Sequence, residues 1–257
     1  MHAILVKAAI GVLVGALVGL TGMGSGVLLL PVLIFGLGVP PIIAIGSDAA
    51  FSALTKVGAG LLHWRHGTVN WKLTRFLALG SVPGALGGVL LLSHLRAVHG
   101  NGVNEILKSI VGILLVCIPL LLLFPVTSKK PGLNVVELTR NSWIGISFIG
   151  LFAGFLVGIS SVGSGTIILV MLVPLIKCQP SILVGTDIVH AVILTSFTSL
   201  LYMRLGTVDF ALLMALLIGS IPGALLGVRL STMLPGRWLK RVLCVTLFIT
   251  GVRILWV

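Results

Sequence analysis

The sequence is poor in acidic residues and in charge of any kind. Only 5 of its 257 residues are Asp or Glu, and charged residues make up 9% of the chain. So little charge excludes a soluble domain that faces water on all sides. Hydrophobic residues make up 58% of the sequence, and the mean hydropathy is +1.25. The composition predicts a membrane protein with several spans.

Cysteines are also few, and catalytic motifs are missing. Cys117, Cys178 and Cys244 lie far apart in apolar segments, without the spacing of a zinc site or a disulfide framework, so we expect core thiols. No G-x-S-x-G, H-E-x-x-H or Walker-type sequence occurs. We therefore expect no enzyme activity, no metal site and no cofactor.

Long apolar runs separated by short loops are the dominant feature that is present. Such runs favour helices over a barrel, whose strands alternate polar and apolar residues, so we predict an all-α fold. The first run follows only Met1 and His2, without a small-residue cleavage site, and we expect it to remain in the mature chain. The net charge is +12, and the 17 basic residues lie mostly in loops. Lipid head groups rather than nucleic acid are their expected partners.

One ungapped offset of 139 residues, which carries residue 24 onto residue 163, aligns the two halves of the chain. It also carries Asp48 onto Asp187 and the segment GSVPGALGG onto GSIPGALLG. Segments that were merely hydrophobic would share Leu and Val, so the shared Gly, Pro, Ser and Asp indicate a duplication. Residues 1–125 and 141–257 are predicted to be the two repeats, and residues 126–140 a cytoplasmic linker.

Each repeat is predicted to contain five apolar segments. They are 3–20, 25–38, 40–62, 71–93 and 104–125 in the first repeat, and 141–158, 164–177, 180–203, 208–230 and 238–256 in the second. The second segment of each repeat is about 20 Å long as a helix, against a hydrocarbon core of about 30 Å. It cannot cross alone, so we expect it to form a bent pair with the first segment around a break inside the membrane.

The distribution of basic residues favours inverted repeats. If each bent pair returns to the side where it began, the basic residues divide twelve to five between the two faces; parallel repeats give ten to seven. The positive-inside rule favours the larger asymmetry. We therefore predict inverted repeats whose short broken helices meet near the membrane centre. Both termini are then on the non-cytoplasmic side of the cell (inner) membrane.

Two Gly-Ser-Gly breaks are the strongest candidates for a binding site. Unpaired backbone groups are costly in hydrocarbon, so a break is tolerated only where it is buried in protein or lines a wet cavity. Free N–H groups at the start of the following helix suit an anion. Close helix packing is the alternative, which we assign to the run Gly11, Gly15 and Gly19 instead. The predicted substrate-binding residues are Gly24, Ser25, Gly26, Ser47, Gly163, Ser164, Gly165 and Thr186.

Asp48 and Asp187 are repeat partners inside apolar segments. A carboxylate at the bilayer centre costs about 2.5–3.5 kcal/mol, so it is normally functional or paired. Two hypotheses stay open, proton uptake during transport and N-capping of a second helix break. His190 lies three residues after Asp187, as a proton relay or as a buried hydrogen-bonded group. Lys56 is expected to snorkel toward the cytoplasm, the alternative being that it faces an anion pathway.

The segments GLTGMGSGVLLLPVL, PPIIAIGSDAAFSAL, HGTVNW and GSVPGALGG, with their second-half copies, together resemble the TauE/SafE family of sulfite exporters and TSUP permeases. The resemblance covers nearly the whole chain. It implies a bacterial or archaeal plasma-membrane carrier for small sulfur-containing anions such as sulfite or organosulfonates. Members of that family commonly have a run of glycines where this chain has its two Gly-Ser-Gly breaks.

Repeats and breaks together predict a secondary transporter that works by alternating access on a small anionic substrate, with membrane lipid around it. A passive anion channel, a transporter of small carboxylates and a non-transporting scaffold are the alternatives. The sequence leaves open the direction of transport, the coupling ion and the formation of a homodimer.

Overall fold

The computed structural model describes residues 2–21, 24–123, 140–172, 176, 179–231 and 236–256. Within these ranges the regular structure is helical and contains no strand, which confirms the all-α prediction. The helices are α1 His2–Thr21, α2 Ser25–Pro31, α3 Pro41–Arg65, α4 Trp71–His99, α5 Val103–Leu123, α6 Arg140–Ser160, α7 Thr166–Leu172, α8 Pro180–Arg204, α9 Phe210–Ser231 and α10 Gly236–Trp256. Apart from Arg140, at the start of α6, the predicted linker 126–140 lies outside the described residues.

Several helices are long and apolar enough to cross a membrane. Among the described residues these stretches are Pro41–Arg65, Trp71–Leu121, Trp143–Ser160, Ser181–Arg204 and Phe210–Gly227. The 51-residue stretch from Trp71 contains α4 and most of α5, which a 3₁₀ turn at Gly100–Gly102 joins. Large apolar side chains such as Leu79, Phe148 and Ile218 are exposed on the outside, where a bilayer would cover them. The protein is a polytopic membrane protein.

The second helix of each repeat is short. Helix α2 has seven residues and continues into a π-helical turn at Val32–Gly36, and α7 likewise has seven residues. At 1.5 Å per residue, neither comes near the ~30 Å of a hydrocarbon core. Every residue of α2 is buried, so protein rather than lipid surrounds the backbone that follows the first break.

Glycines bring helices of the two repeats into close contact. A Cβ atom at Gly15 of α1 would lie 2.4 Å from the carbonyl oxygen of Ser220 in α9. The repeat-equivalent Gly154 of α6 faces Ser81 of α4 in the same way, at 2.1 Å. Gly11 and Gly19 also lie against the α9 backbone, which confirms that this run serves helix packing. The first helix of each repeat thus packs on the fourth helix of the other repeat.

Helices α3 and α8, which are repeat equivalents, run in opposite directions. Gly46, near the start of α3, lies against the backbone of Thr207, which follows the end of α8. Gly185, near the start of α8, lies against Thr68, which follows the end of α3. Helix α5 also packs on its equivalent α10. Exchanged antiparallel contacts agree with inverted repeats. The inverted relation itself and the side of the membrane on which each terminus lies stay predictions.

The cysteines do not all occupy the core. Cys244 in α10 is buried, as expected, whereas Cys117 in α5 is exposed. The expectation for Cys117 was wrong because its helix face points outward, where an apolar thiol can meet lipid. Cys178 lies outside the described residues.

Candidate functional site

The two Gly-Ser-Gly breaks meet in the protein interior. A Cβ atom at Gly26 would lie 2.6 Å from the carbonyl oxygen of Ser161. A Cβ atom at Gly24 would lie 3.5 Å from Ser164 Oγ and equally far from Lys56 Nζ. Glycine is therefore required at position 26 for the breaks to approach one another, and the space beside Gly24 is occupied by a lysine ammonium group.

Asp48 of α3 is held by hydroxyl groups from both breaks. Its side chain is fully buried. The Ser25 hydroxyl donates to Oδ1 at 2.8 Å, and the Ser161 hydroxyl donates to Oδ2 at 2.7 Å. Ser52, one turn after Asp48, has its Oγ 3.0 Å from that of Ser25. Each oxygen of this carboxylate therefore has a hydrogen bond, which stabilises its position between the breaks.

Ser161 adopts a backbone conformation that residues other than glycine avoid. Its φ is 57°, and that of Gly163 in the same turn is 89°. A left-handed conformation costs about 1–2 kcal/mol for a residue with a Cβ atom. In this strained conformation the Ser161 hydroxyl donates its hydrogen bond to buried Asp48.

Lys56 of α3 points into the site, so the snorkelling prediction was wrong. Its Nζ lies 2.6 Å from Ser164 Oγ in the second break, and the side chain is half-buried. The ammonium group also interacts electrostatically with the carboxylates of Asp48 and Asp187. Because these partners lie inside the protein, they stabilise the ammonium charge there. The side chain does not extend to water, as a snorkelling lysine does. Lys56 is therefore a site residue, a position that the sequence analysis gave only as the alternative.

Asp187 of α8 occupies a different environment from Asp48. It is 4% exposed. A Cβ atom at Gly165 would lie 3.0 Å from Asp187 Oδ2, so the carboxylate rests against the second break. Its Oδ1 has no hydrogen-bond partner in the described part of the chain. Within those ranges, one oxygen of this buried carboxylate therefore has no hydrogen bond.

The N-capping hypothesis for the two aspartates was wrong. Both lie inside continuous helices, which begin at Pro41 and at Pro180. Proline occupies the first turn of each helix, where its missing N–H costs nothing. The interior positions leave Asp48 and Asp187 free to serve the site rather than a helix end.

His190 contacts α4 rather than Asp187. Its Nε2 lies 2.7 Å from the Ser81 hydroxyl, and the side chain is fully buried. Its Nδ1 has no hydrogen-bond partner among the described residues. The structure thus places His190 as a buried hydrogen-bonded group, without a direct bond to the neighbouring carboxylate.

Ser47 and Thr186 each hold a loop of the other repeat. The Ser47 hydroxyl accepts the backbone N–H of Asp209 at 3.0 Å, and the Thr186 hydroxyl accepts that of Asn70 at 2.9 Å. Asp209 and Asn70 precede α9 and α4, so each bond positions the start of a helix. Neither Ser47 nor Thr186 lines the cavity described next, and their contact with substrate stays a prediction.

A cavity of about 280 Å³ opens beside the first break. Small residues of α1 and α9, namely Gly15, Gly19 and Ala224, leave the space, and Ser25 and Lys56 form its polar side. Lys56 is the one charged group among its lining residues in the described chain. No cluster of three or more His, Cys, Asp or Glu suited to a metal ion occurs in the same ranges. The arrangement suits a small anion.

Comparison with known proteins points to one family. The profile described as Sulfite exporter TauE/SafE matches residues 7–254. The probable membrane transporter protein YjnA of Bacillus subtilis is 36% identical over 248 residues, which cover 95% of this chain and 97% of that protein. The probable membrane transporter protein YdhB of the same organism is 25% identical over 243 residues, covering 95% and 96%. No solved structure matches.

Proposed function

Because the chain belongs to the TauE/SafE sulfite exporter family, we propose that this membrane transporter carries a small sulfur-containing anion, such as sulfite or an organosulfonate, across the cell membrane. The observation that supports the substrate class is the position of Lys56. Its ammonium group lies between Gly24 and Ser164 of the two breaks and lines the cavity. An anion that leaves water needs a counter-charge, and this residue provides one.

The Ser164 hydroxyl would complete the binding of such an anion, because it accepts from the Lys56 ammonium group and has its own proton to donate. The Ser25 hydroxyl also lines the cavity, but it donates its proton to Asp48. Sulfite and sulfonate groups present three oxygens, which can accept from the Lys56 N–H groups that do not bond Ser164 and from the Ser164 hydroxyl.

The exchange of helices between repeats supports alternating access as the mode of transport. Helix α1 packs on α9, and α6 packs on α4, and the breaks that follow α1 and α6 contact one another. Movement of one pair relative to the other would open the cavity toward one side of the membrane at a time. Saturable uptake with countertransport into proteoliposomes is the expected behaviour. Conductance without saturation would instead identify a passive channel.

Thermal unfolding of purified protein tests the substrate class. Sulfite, sulfate, thiosulfate, methanesulfonate, sulfoacetate, taurine and small carboxylates are each added in turn. A bound anion stabilises the folded state by about 2.7 kcal/mol at one hundred times its Kd. We expect stabilisation by at least one sulfite-like or sulfonate anion, and its loss in Lys56→Gln.

Lys108→Gln is the matched control, because Lys108 pairs with Glu105 at 2.9 Å, away from the cavity. This variant should respond to anions as the wild type does. Stabilisation by carboxylates alone would change the substrate class. Full stabilisation of Lys56→Gln by the same anion would contradict the role given to Lys56.

A further inference from the structure

The hydroxyl groups around the two buried carboxylates differ between the repeats. Asp48 receives hydrogen bonds from Ser25 and Ser161. The repeat equivalent of Ser161 is Gly22, which has no hydroxyl group. The equivalent of Ser25 is Ser164, whose hydroxyl contacts Lys56. Among the described residues, two serine hydroxyls therefore bond Asp48. Their repeat equivalents do not do the same for Asp187, because one is a glycine and the other contacts Lys56.

Few charged or titratable groups are placed to compensate Asp187. Lys56 interacts electrostatically with it and with Asp48. His190, on the same helix, uses Nε2 to contact Ser81 of α4. His63 of α3 lies near the start of α8, where its Nδ1 is 2.8 Å from Thr68 Oγ1. Lys56 is thus the cation that balances Asp187 among the described residues, and it also lines the cavity.

From this geometry we propose that Asp187, and not its repeat partner Asp48, takes up a coupling proton when an anion binds at Lys56. The inference rests on the proposed function. An anion in the cavity becomes the counter-ion of Lys56. The ammonium group then stabilises the negative charge of Asp187 less. A proton from water then binds a carboxylate oxygen of Asp187 and forms an O–H group.

Charge balance explains why one proton accompanies one anion. Two carboxylates and one ammonium group give the ionised cluster a formal charge of about −1. A monovalent anion would make the charge more negative in a site of low dielectric, which is costly. Uptake of one proton by Asp187 restores the original charge. Asp48 keeps its charge because its hydroxyl partners stabilise the carboxylate.

Proton counting by calorimetry tests this inference. Methanesulfonate and ethanesulfonate, both monovalent, are titrated into purified protein in two buffers that differ in ionisation enthalpy. Neither anion titrates near neutral pH, so any proton taken up belongs to the protein. We expect about one proton per anion in the wild type, and tighter binding at lower pH by up to about tenfold per pH unit. Asp187→Asn should bind the anion without proton uptake and with an affinity that pH does not change.

Asp48→Asn and His190→Gln are the comparison variants, and both should retain proton uptake. Loss of uptake in either variant, with anion binding retained, would overturn the assignment to Asp187. So would uptake that persists in Asp187→Asn. If Asp48→Asn does not fold, wild type and Asp187→Asn decide the question, since Asp187 Oδ1 has no hydrogen bond among the described residues to lose.

The two proposals fail in different ways. Anion binding by the wild type without proton uptake overturns this inference and leaves the transport of anions intact. Failure of both anions to bind the wild type removes the proposed site at Lys56 and the inference with it.

Discussion

In the first repeat the buried carboxylate of Asp48 is held by Ser25 and Ser161, whereas in the second repeat Asp187 leaves Oδ1 without a partner among the described residues. The helices around the site show no such difference, since Gly15 and Gly154 face equivalent carbonyl groups. Close packing tolerates little variation, so both repeats keep the same contacts. The proposed role of Asp187 accounts for the difference at the centre, since a carboxylate that gains and loses a proton needs fewer fixed partners than one that stays ionised.

The largest loss of stability is expected at the helix contacts that the two repeats share. Gly154→Ala puts a Cβ atom 2.1 Å from the Ser81 carbonyl oxygen, and Gly15→Ala puts one 2.4 Å from that of Ser220. Each change forces two helices apart and should lower the free energy of unfolding by about 3 kcal/mol. Thermal unfolding in detergent measures the loss. Gly145→Ala in the same helix α6 is the control, because a Cβ there has no neighbour within 4 Å.

An unequal response of Gly15→Ala and Gly154→Ala would show that the two helix pairs contribute differently to stability. A loss in Gly145→Ala as large as in Gly154→Ala would mean that packing against α4 is not the cause.

A smaller effect is expected where the repeats differ. Asp48→Asn replaces an oxygen that accepts a serine proton with an amide group, and should cost about 2 kcal/mol of stability. Asp187→Asn removes a buried charge with an unsatisfied oxygen, and should leave stability unchanged or raise it. Chemical or thermal unfolding of both variants at neutral pH makes the comparison. Equal losses in the two variants would contradict the difference seen between the carboxylates.

The smallest effect concerns the strained serine. Ser161→Ala loses the hydrogen bond to Asp48 and keeps a Cβ atom at a φ of 57°. Ser161→Gly loses the same bond but relieves the backbone, so it should be more stable than Ser161→Ala by about 1 kcal/mol. It also gives the second break the glycine that the first repeat has at position 22. Identical unfolding temperatures for the two variants would show that the backbone there carries no strain.

Much of the fold could be predicted because it depends on local properties. The predicted segment 180–203 agrees with α8 at Pro180–Arg204, since proline begins the helix and Gly206, with a φ of 65°, follows its end. The short second segments followed from counting apolar residues against membrane thickness. The offset of 139 residues between the repeats also locates both breaks from the sequence alone.

Part of the site could not be predicted because its contacts join distant residues. Lys56 and Ser164 are 108 positions apart, and no local pattern indicates that one would turn toward the other. The spacing of Asp48, Ser52 and Lys56 at every fourth residue was the one available signal, as it places them along one side of α3. Ser47 and Thr186 share their types with binding residues, yet in the structure they position loops.

The sequence by itself determined that the chain is a helical membrane protein and predicted two copies of one unit, because hydropathy and glycine spacing act within single helices. Only the tertiary structure decided which carboxylate is satisfied and where the lysine charge lies. Those outcomes depend on how the breaks of the two repeats dock, and a buried charge takes its partners from whatever that docking brings within hydrogen-bond distance.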